Sequence, residues 1–245
     1  MGQLEERLAQ VRAGIAAACA ACGRAPSEVS LIAATKTQSH QTIRQAIAAG
    51  VTLCGENRVQ ELNAHLEADA YQGAGVHFIG QLQTNKVRFV VGRVALIHSV
   101  SSEKLLLAIQ RQAEKLGVIQ PILLEVNLAG EVRKAGFSPQ QVHAAARLAR
   151  TLPNLSLGGL MCIPPAASRQ GENHPYFEKL AQLAVDIRGE IGDNGVDSFH
   201  LSMGMSGDYQ DAISAGATLI RLGTALFGPR PAPNTFEGSP IHEPV

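Results

Sequence analysis

Residues 30–43 read SLIAATKTQSHQTI. The first half is an apolar run that suits a strand buried on both faces. The run breaks at Lys36, and Thr37, Gln38, Ser39 and His40 follow. Lysine is among the residues least often fully buried. A lysine closing a buried strand either snorkels outward to pair with a carboxylate such as Glu56, or presents its amine to a site at the strand's end.

The same unit recurs along the chain. Strand-like runs at 51–55 (VTLCG), 76–80 (VHFIG), 94–100, 121–128, 155–161, 198–202 and 218–223 alternate with helical spacings at 40–50, 58–70, 84–92, 102–117, 138–151, 174–192 and 208–216. A further helix is expected over residues 3–22. Eight strand–helix units in a 245-residue chain predict an α/β fold, a single (β/α)₈ TIM barrel with an extra N-terminal helix. An open doubly wound sheet is the alternative, but no G-x-G-x-x-G follows the first strand. The barrel is expected to occupy residues 1–228. Residues 229–245 hold five of the twelve prolines and read as a poorly ordered C-terminal tail.

Composition narrows the function. Lys and Arg together number 21, as do Asp and Glu, and no basic run stands out. That balance argues against a nucleic-acid or anionic-membrane partner. No apolar run approaches the roughly 20 residues of a membrane span. Glu5, Glu6 and Arg7 stand where a signal peptide would carry net positive charge. A cytoplasmic protein with reduced thiols is expected, and a barrel of this size suits a monomer. Cys19 and Cys22 form one C-x-x-C in an Ala-rich helical stretch, with no second pair to complete a zinc site. Cys54 and Cys162 fall near strand ends and read as buried structural thiols. His77 and His98 fall in strands and read as core histidines bonded to neighbours.

In a (β/α)₈ barrel the site lies at the C-terminal strand ends. Those ends carry Lys36, Glu56 and Asn57, residues 80–86 (GQLQTNK), Asn127, residues 161–165 (MCIPP), 201–208 (LSMGMSGD) and 221–228 (RLGTALFG). Ser206 and Gly207 precede a short helix, and Gly223 and Thr224 follow the last strand. Each pair by itself is an ordinary cap or turn. Together, after strands seven and eight, they suit a phosphate. A lysine opposite a phosphate cradle suits a phosphorylated aldehyde, and pyridoxal 5′-phosphate (PLP) is the commonest such cofactor. A lysine with a depressed pKa can attack its carbonyl to form a Schiff base.

These blocks, with GENRVQE (55–61), HFIGQLQTNK (77–86), KAGF (134–137), GLMCIPP (159–165) and LSMGMSGDYQDAISAGAT (201–218), resemble the pyridoxal phosphate homeostasis proteins, the YggS/PROSC group. The resemblance spans residues 30–228. It implies the barrel of the alanine racemase N-terminal domain, PLP fold type III, without that fold's second domain. It also implies PLP held as a Schiff base on Lys36, with Asn57 beside the cofactor. Ser206, Gly207, Gly223 and Thr224 then bind the phosphate, Arg221 faces the pyridine nitrogen, and Met203 and His200 line the mouth. The chain departs from many relatives at Arg58 and Ser101, neither of which touches the lysine or phosphate blocks. The implied role is PLP storage and delivery to PLP-requiring apo-enzymes, and amino-acid balance, without turnover.

Two enzymatic readings stand beside it. A low-activity amino-acid racemase would need a second base opposite Lys36. The chain's tyrosines, Tyr71, Tyr176 and Tyr209, all fall in helical stretches; Tyr209 is nearest the cradle. A Schiff-base aldolase would need an acid pair near Lys36. Arg221, a donor that is always charged, favours an unprotonated pyridine nitrogen and weakens the cofactor as an electron sink.

Overall fold

The computed structural model describes residues 2–131, 134–167, 169–192 and 199–229. Eight parallel strands close into a barrel in chain order: β1 (Ser30–Ala34), β2 (Leu53–Glu56), β3 (Gly75–Phe78), β4 (Leu96–Val100), β5 (Gln120–Glu125), β6 (Leu155–Met161), β7 (His200–Ser202) and β8 (Leu219–Leu222). The helices are α1 (Gln3–Ala21), α2 (His40–Ala48), α3 (Val59–Glu67), α4 (Glu103–Leu116), α5 (Pro139–Thr151), α6 (His174–Ile191), α7 (Tyr209–Ser214) and α8 (Thr224–Phe227). The expected barrel and its N-terminal helix are both present. Of the expected tail, only Pro229 lies within the described residues.

Local chemistry explains the helix starts. Ser39, Ser102 and Ser138 each accept a first-turn N–H at 3.1, 3.3 and 3.2 Å, from Thr42, Leu105 and Gln141. Gln141 Oε1 accepts the Ser138 N–H at 3.0 Å, completing a capping box. Gly117 closes α4 in the left-handed conformation, φ 66°. The segment expected as helix 84–92 is a 3₁₀ helix over Thr84–Phe89; Val87, Val90 and Val91 are stiff, β-branched and poor helix formers. Strand five ends at Glu125 rather than running to 128. Beyond it Asn127 donates from Nδ2 to the carbonyls of Glu131 (2.9 Å) and Lys134 (3.2 Å), so its side chain organises that loop.

The core has two compartments. Outside the strands, a large apolar layer joins them to the helices, with Phe78, Phe177, Leu62 and Ile109 fully buried in it. Inside, Ile32, Ala34, Ile79, Leu96, Leu123, Met161 and Leu219 form a small second cluster. Alternation decides which compartment each side chain enters. A Cβ on Gly55 would meet Ile32 and Ile79 at 2.7 and 2.8 Å, so residue 55 faces inward and Glu56 outward. Helix α1 packs on α7 and α8. Arg24, just past α1, donates to the Ile213 and Ala217 carbonyls, both at 2.9 Å.

Candidate functional site

A cavity of about 430 Å³ opens at the C-terminal ends of the strands. Seven of the nine residues expected there from sequence line it: Lys36, Asn57, Ser206, Gly207, Arg221, Gly223 and Thr224. Met203 does not; it is fully buried in the outer apolar layer. Gly204 follows at φ 90°, and after that turn Met205 lines the cavity instead. His200 opens β7, at the other end of the barrel from the mouth.

The lysine stands on a constrained loop. Thr37, directly after Lys36, has φ 63°, which is uncommon for a β-branched residue. The Thr37 backbone N–H bonds to the Glu61 carboxylate, and the charges of Arg58 and Lys36 also bear on that carboxylate. Burial nonetheless raises the Glu61 pKa. Glu56 is fully buried and is committed elsewhere than to Lys36: its Oε1 accepts from Thr35 Oγ1 at 2.5 Å and from Tyr71 OH at 2.9 Å. Burial pushes Glu56 up to about 7, with the Thr35 and Tyr71 hydrogen bonds opposing. His65 Nε2 lies 3.8 Å from the same oxygen, and burial pulls His65 down to about 4. His65 Nδ1 meets His40 Nδ1 at 2.8 Å.

The opposite rim is hydroxyl and backbone. Ser206 Oγ accepts the Ala225 N–H at 3.1 Å, which leaves its own hydrogen free to donate. Thr224 opens α8, where backbone N–H groups lack intrahelical acceptors. Asp208 holds this rim in shape: Oδ1 accepts the Met205 N–H at 2.7 Å and Oδ2 accepts Asn173 Nδ2 at 2.8 Å. Asn57 Oδ1 is buried with no partner among the described residues. Gly80 lets the loop after β3 press on Asn57: a Cβ there would stand 2.0 Å from the Asn57 carbonyl oxygen.

Arg221 reaches the cavity from inside the barrel and is 5% exposed. Nη1 donates to Ser202 Oγ at 2.5 Å and Nη2 to the Cys162 carbonyl at 3.0 Å. Ser202 Oγ meets His98 Nδ1 at 2.8 Å, and His98 Nε2 meets His77 Nδ1 at 3.0 Å. Burial pulls His77 down to about 4 and holds His98 well below its ordinary value, so both rings are neutral at neutral pH. Sequence reading foresaw core histidines but not this chain. Its members come from β3, β4, β7 and β8, and no local spacing marks them.

Among the described residues, Lys36 and Arg221 are the only ionisable side chains lining the cavity; no Asp, Glu, His, Cys or Tyr joins them. Tyr71 is spent on Glu56. Tyr209 OH points at α1, where a Cβ on Gly14 would meet it at 2.1 Å. Cys54 and Cys162 are buried and pushed up to about 12, so their thiols stay protonated. Cys22 Sγ is turned back on its own helix, 3.2 Å from the Ala18 carbonyl. No helix among the described residues is long and apolar enough to cross a membrane.

Comparison with known proteins places this geometry. The alanine racemase N-terminal domain family matches residues 7–231. The pyridoxal phosphate homeostasis protein of Aquifex aeolicus is 41% identical over 225 residues, covering 92% of this chain and 97% of that protein. Structurally, PipY of Synechococcus elongatus with PLP bound superposes with a TM-score of 0.80 at 35% identity, over 92% of this chain and 100% of PipY. A Bifidobacterium adolescentis protein of unknown role gives 0.84 at 36% identity, over 91% of this chain and 94% of its own.

Proposed function

This chain belongs to the family of pyridoxal phosphate homeostasis proteins, built on the alanine racemase N-terminal domain, and on that premise we propose that its cavity binds PLP and that the protein stores and delivers the cofactor. The observation that carries this reading is the pairing, in one cavity, of a lysine amine with a hydroxyl-and-backbone rim and, among the described residues, no carboxylate, imidazole, thiol or phenol. The donor set fits the cofactor. Among the described residues Lys36 supplies the one primary amine in the lining, and Ser206, Gly207, Gly223 and Thr224 supply donors for a dianionic phosphate. Arg221 supplies a donor for a ring nitrogen, and Asn57 has an unspent side-chain oxygen. A volume of about 430 Å³ lies in the range of small-molecule sites.

On this reading Lys36 holds the cofactor covalently, as a Schiff base, and the far rim grips its phosphate. Bound PLP would supply an electron sink for amino-acid chemistry. The residues around it do not exploit that sink. Arg221 cannot protonate the ring nitrogen as an acid would, and among the described residues no Asp, Glu, His, Cys or Tyr lines the cavity to serve as a second base. These features favour a carrier over a racemase. The protein then works in the cytoplasm, as a monomer, and hands PLP to PLP-requiring apo-enzymes.

Borohydride reduction of PLP-loaded protein followed by peptide mapping tests the assignment. The pyridoxyl adduct is expected on Lys36. Lys36→Ala is expected to lose the covalent adduct and to keep weaker PLP through the phosphate rim. An adduct on another peptide, or wild-type affinity in Lys36→Ala, overturns the role given to Lys36. Inversion of a single amino-acid enantiomer by wild type, abolished in Lys36→Ala, would overturn the carrier role.

A further inference from the structure

Arg221 presents a problem that the cavity does not solve. It is buried, yet among the described residues no carboxylate lies within ion-pair distance. Its anchored N–H groups end on two neutral acceptors, Ser202 Oγ and the Cys162 carbonyl. The buried carboxyls of Glu125 and Asp208 act on its charge from beyond ion-pair distance, so the groups that touch it must be oriented toward it.

Donor counting settles their orientation. Arginine only donates, so Ser202 Oγ accepts from Nη1. The buried Ser202 hydroxyl must then place its own hydrogen, and its remaining neighbour is His98 Nδ1 at 2.8 Å. A neutral imidazole that accepts at Nδ1 donates at Nε2, and His98 Nε2 faces His77 Nδ1 at 3.0 Å. The reverse arrangement, with His98 donating to Ser202, leaves a buried hydroxyl hydrogen without an acceptor, a penalty that native interiors avoid. Every bond in the chain therefore turns its negative end toward Arg221. Protonating His98 would reverse the chain, and that is opposed by its full burial and by the neighbouring His77, Arg221 and His200 charges.

We propose that Ser202, His98 and His77 form a polarised hydrogen-bond relay along the barrel interior that positions Arg221 and presents its charge to the ring nitrogen of bound PLP. This rests on the PLP reading above. Ser202 and His98 are positioning residues; they act through Arg221. A carboxylate bonded directly to the guanidinium would hold the arginine equally firmly but would largely cancel its charge. With Glu125 and Asp208 beyond ion-pair distance, the relay fixes the side chain and leaves most of its charge to act on the ring nitrogen, which keeps that nitrogen unprotonated and the cofactor chemically quiet.

The test uses full-length protein loaded with PLP that is isotopically labelled at the ring nitrogen. In wild type the nitrogen resonance should sit at its unprotonated position and stay there across the neutral pH range. Ser202→Ala should move it toward the protonated position and weaken PLP binding about tenfold. Ser202→Thr, which restores a hydroxyl, should bring both back toward wild type. His98→Phe keeps the ring volume, removes the acceptor for the Ser202 hydroxyl and should shift the resonance in the same direction. Loss of stability alone would not move a ring-nitrogen resonance. An adduct on Lys36 in wild type, with the resonance unchanged in both Ser202→Ala and His98→Phe, overturns the relay alone. An unmodified Lys36 in reduced wild type overturns the PLP reading and the relay's purpose with it.

Discussion

Two buried polar clusters face each other across the barrel wall. Inside, Arg221, Ser202, His98 and His77 form a chain in which each polar contact is met by the next. Outside, between β2 and α3, Glu56, Glu61 and His65 lie close together, and among the described residues Glu56 Oε2, Glu61 Oε2 and His65 Nε2 have no hydrogen-bond partner. The inner cluster is built from neutral imidazoles, a hydroxyl and one permanent cation. The outer one is built from two carboxyl groups whose burial raises both pKa values, and from a histidine held neutral. A satisfied network of fixed charge should be stiff and should not titrate within the fold near neutrality. A network with unspent oxygens and a carboxyl titrating near neutrality should be soft and responsive. Both border the cavity, the inner through Arg221 and the outer through Asn57 and the loop after Lys36.

The largest effect should come from opening the inner chain. His98→Leu removes two buried partners at once, leaving the Ser202 hydroxyl and the His77 Nδ1 unmet. A cost of about 3 kcal/mol is expected from two stranded buried groups. Urea unfolding should show this loss to be constant above about pH 6.5 and to shrink below it, because His98 of the unfolded chain takes up a proton near 6.5 while the folded ring, held well below that value, does not. A loss that still varies between neutral and mildly basic pH would mean that the inner cluster titrates within the fold, and would erase the contrast between the two sides.

The outer cluster should respond in the opposite manner. In the unfolded chain Glu56 ionises near its ordinary 4.5, and in the fold near 7. The folded state thus binds the proton more tightly. Its contribution is fully present below pH 4.5 and is lost as pH rises through 7. Glu56→Gln keeps an oxygen for Thr35 and Tyr71 but carries no charge. The stability of the variant minus that of wild type should therefore climb with pH between those two values and then level off. The climb should total about 3 kcal/mol. His65 works against this in wild type. Its folded value, lowered to about 4, makes its contribution present above 6.5 and lost as pH falls through 4. A flat difference curve would mean that Glu56 is ionised in the fold at all pH values tested.

How much of either cluster could be read from the chain depends on how local its cause is. The barrel is legible because each unit is self-contained: an apolar run, a polar break, then a capped helix, as in residues 30–48. Lys36 is legible for the same reason, as a charge where an apolar run should end. The cavity rim at Ser206, Gly207, Gly223 and Thr224 is legible because loops after the last two strands meet by topology. The inner relay is not. Ser202 and His98 are 104 positions apart and meet only because barrel closure aims β4 and β7 at one axis. The outer cluster hides differently: His65 and Tyr71 fall in or beside a helical spacing where each reads as routine packing, and only the outward turn of Glu56 joins them. Met203 differs: the turn at Gly204 sends Met205, two residues on, to the cavity lining in its place.

Tyr71→Phe should give the smallest effect and the sharpest sign. The phenol donates to Glu56 Oε1 at 2.9 Å, and it matters most when that oxygen carries charge. Below the folded Glu56 pKa the carboxyl is neutral, and losing one donor should cost about 1 kcal/mol. Above it the same deletion strips a donor from a buried carboxylate, leaving Thr35 as the remaining side-chain donor, and the cost should roughly double. The Glu56 midpoint should move further up, because a hydrogen bond that favoured the ionised form is gone. Thermal unfolding of Tyr71→Phe against wild type on either side of neutrality reads this directly. An equal cost on both sides would mean that Tyr71 serves only to fill space, and that the charge of Glu56 is met from another direction.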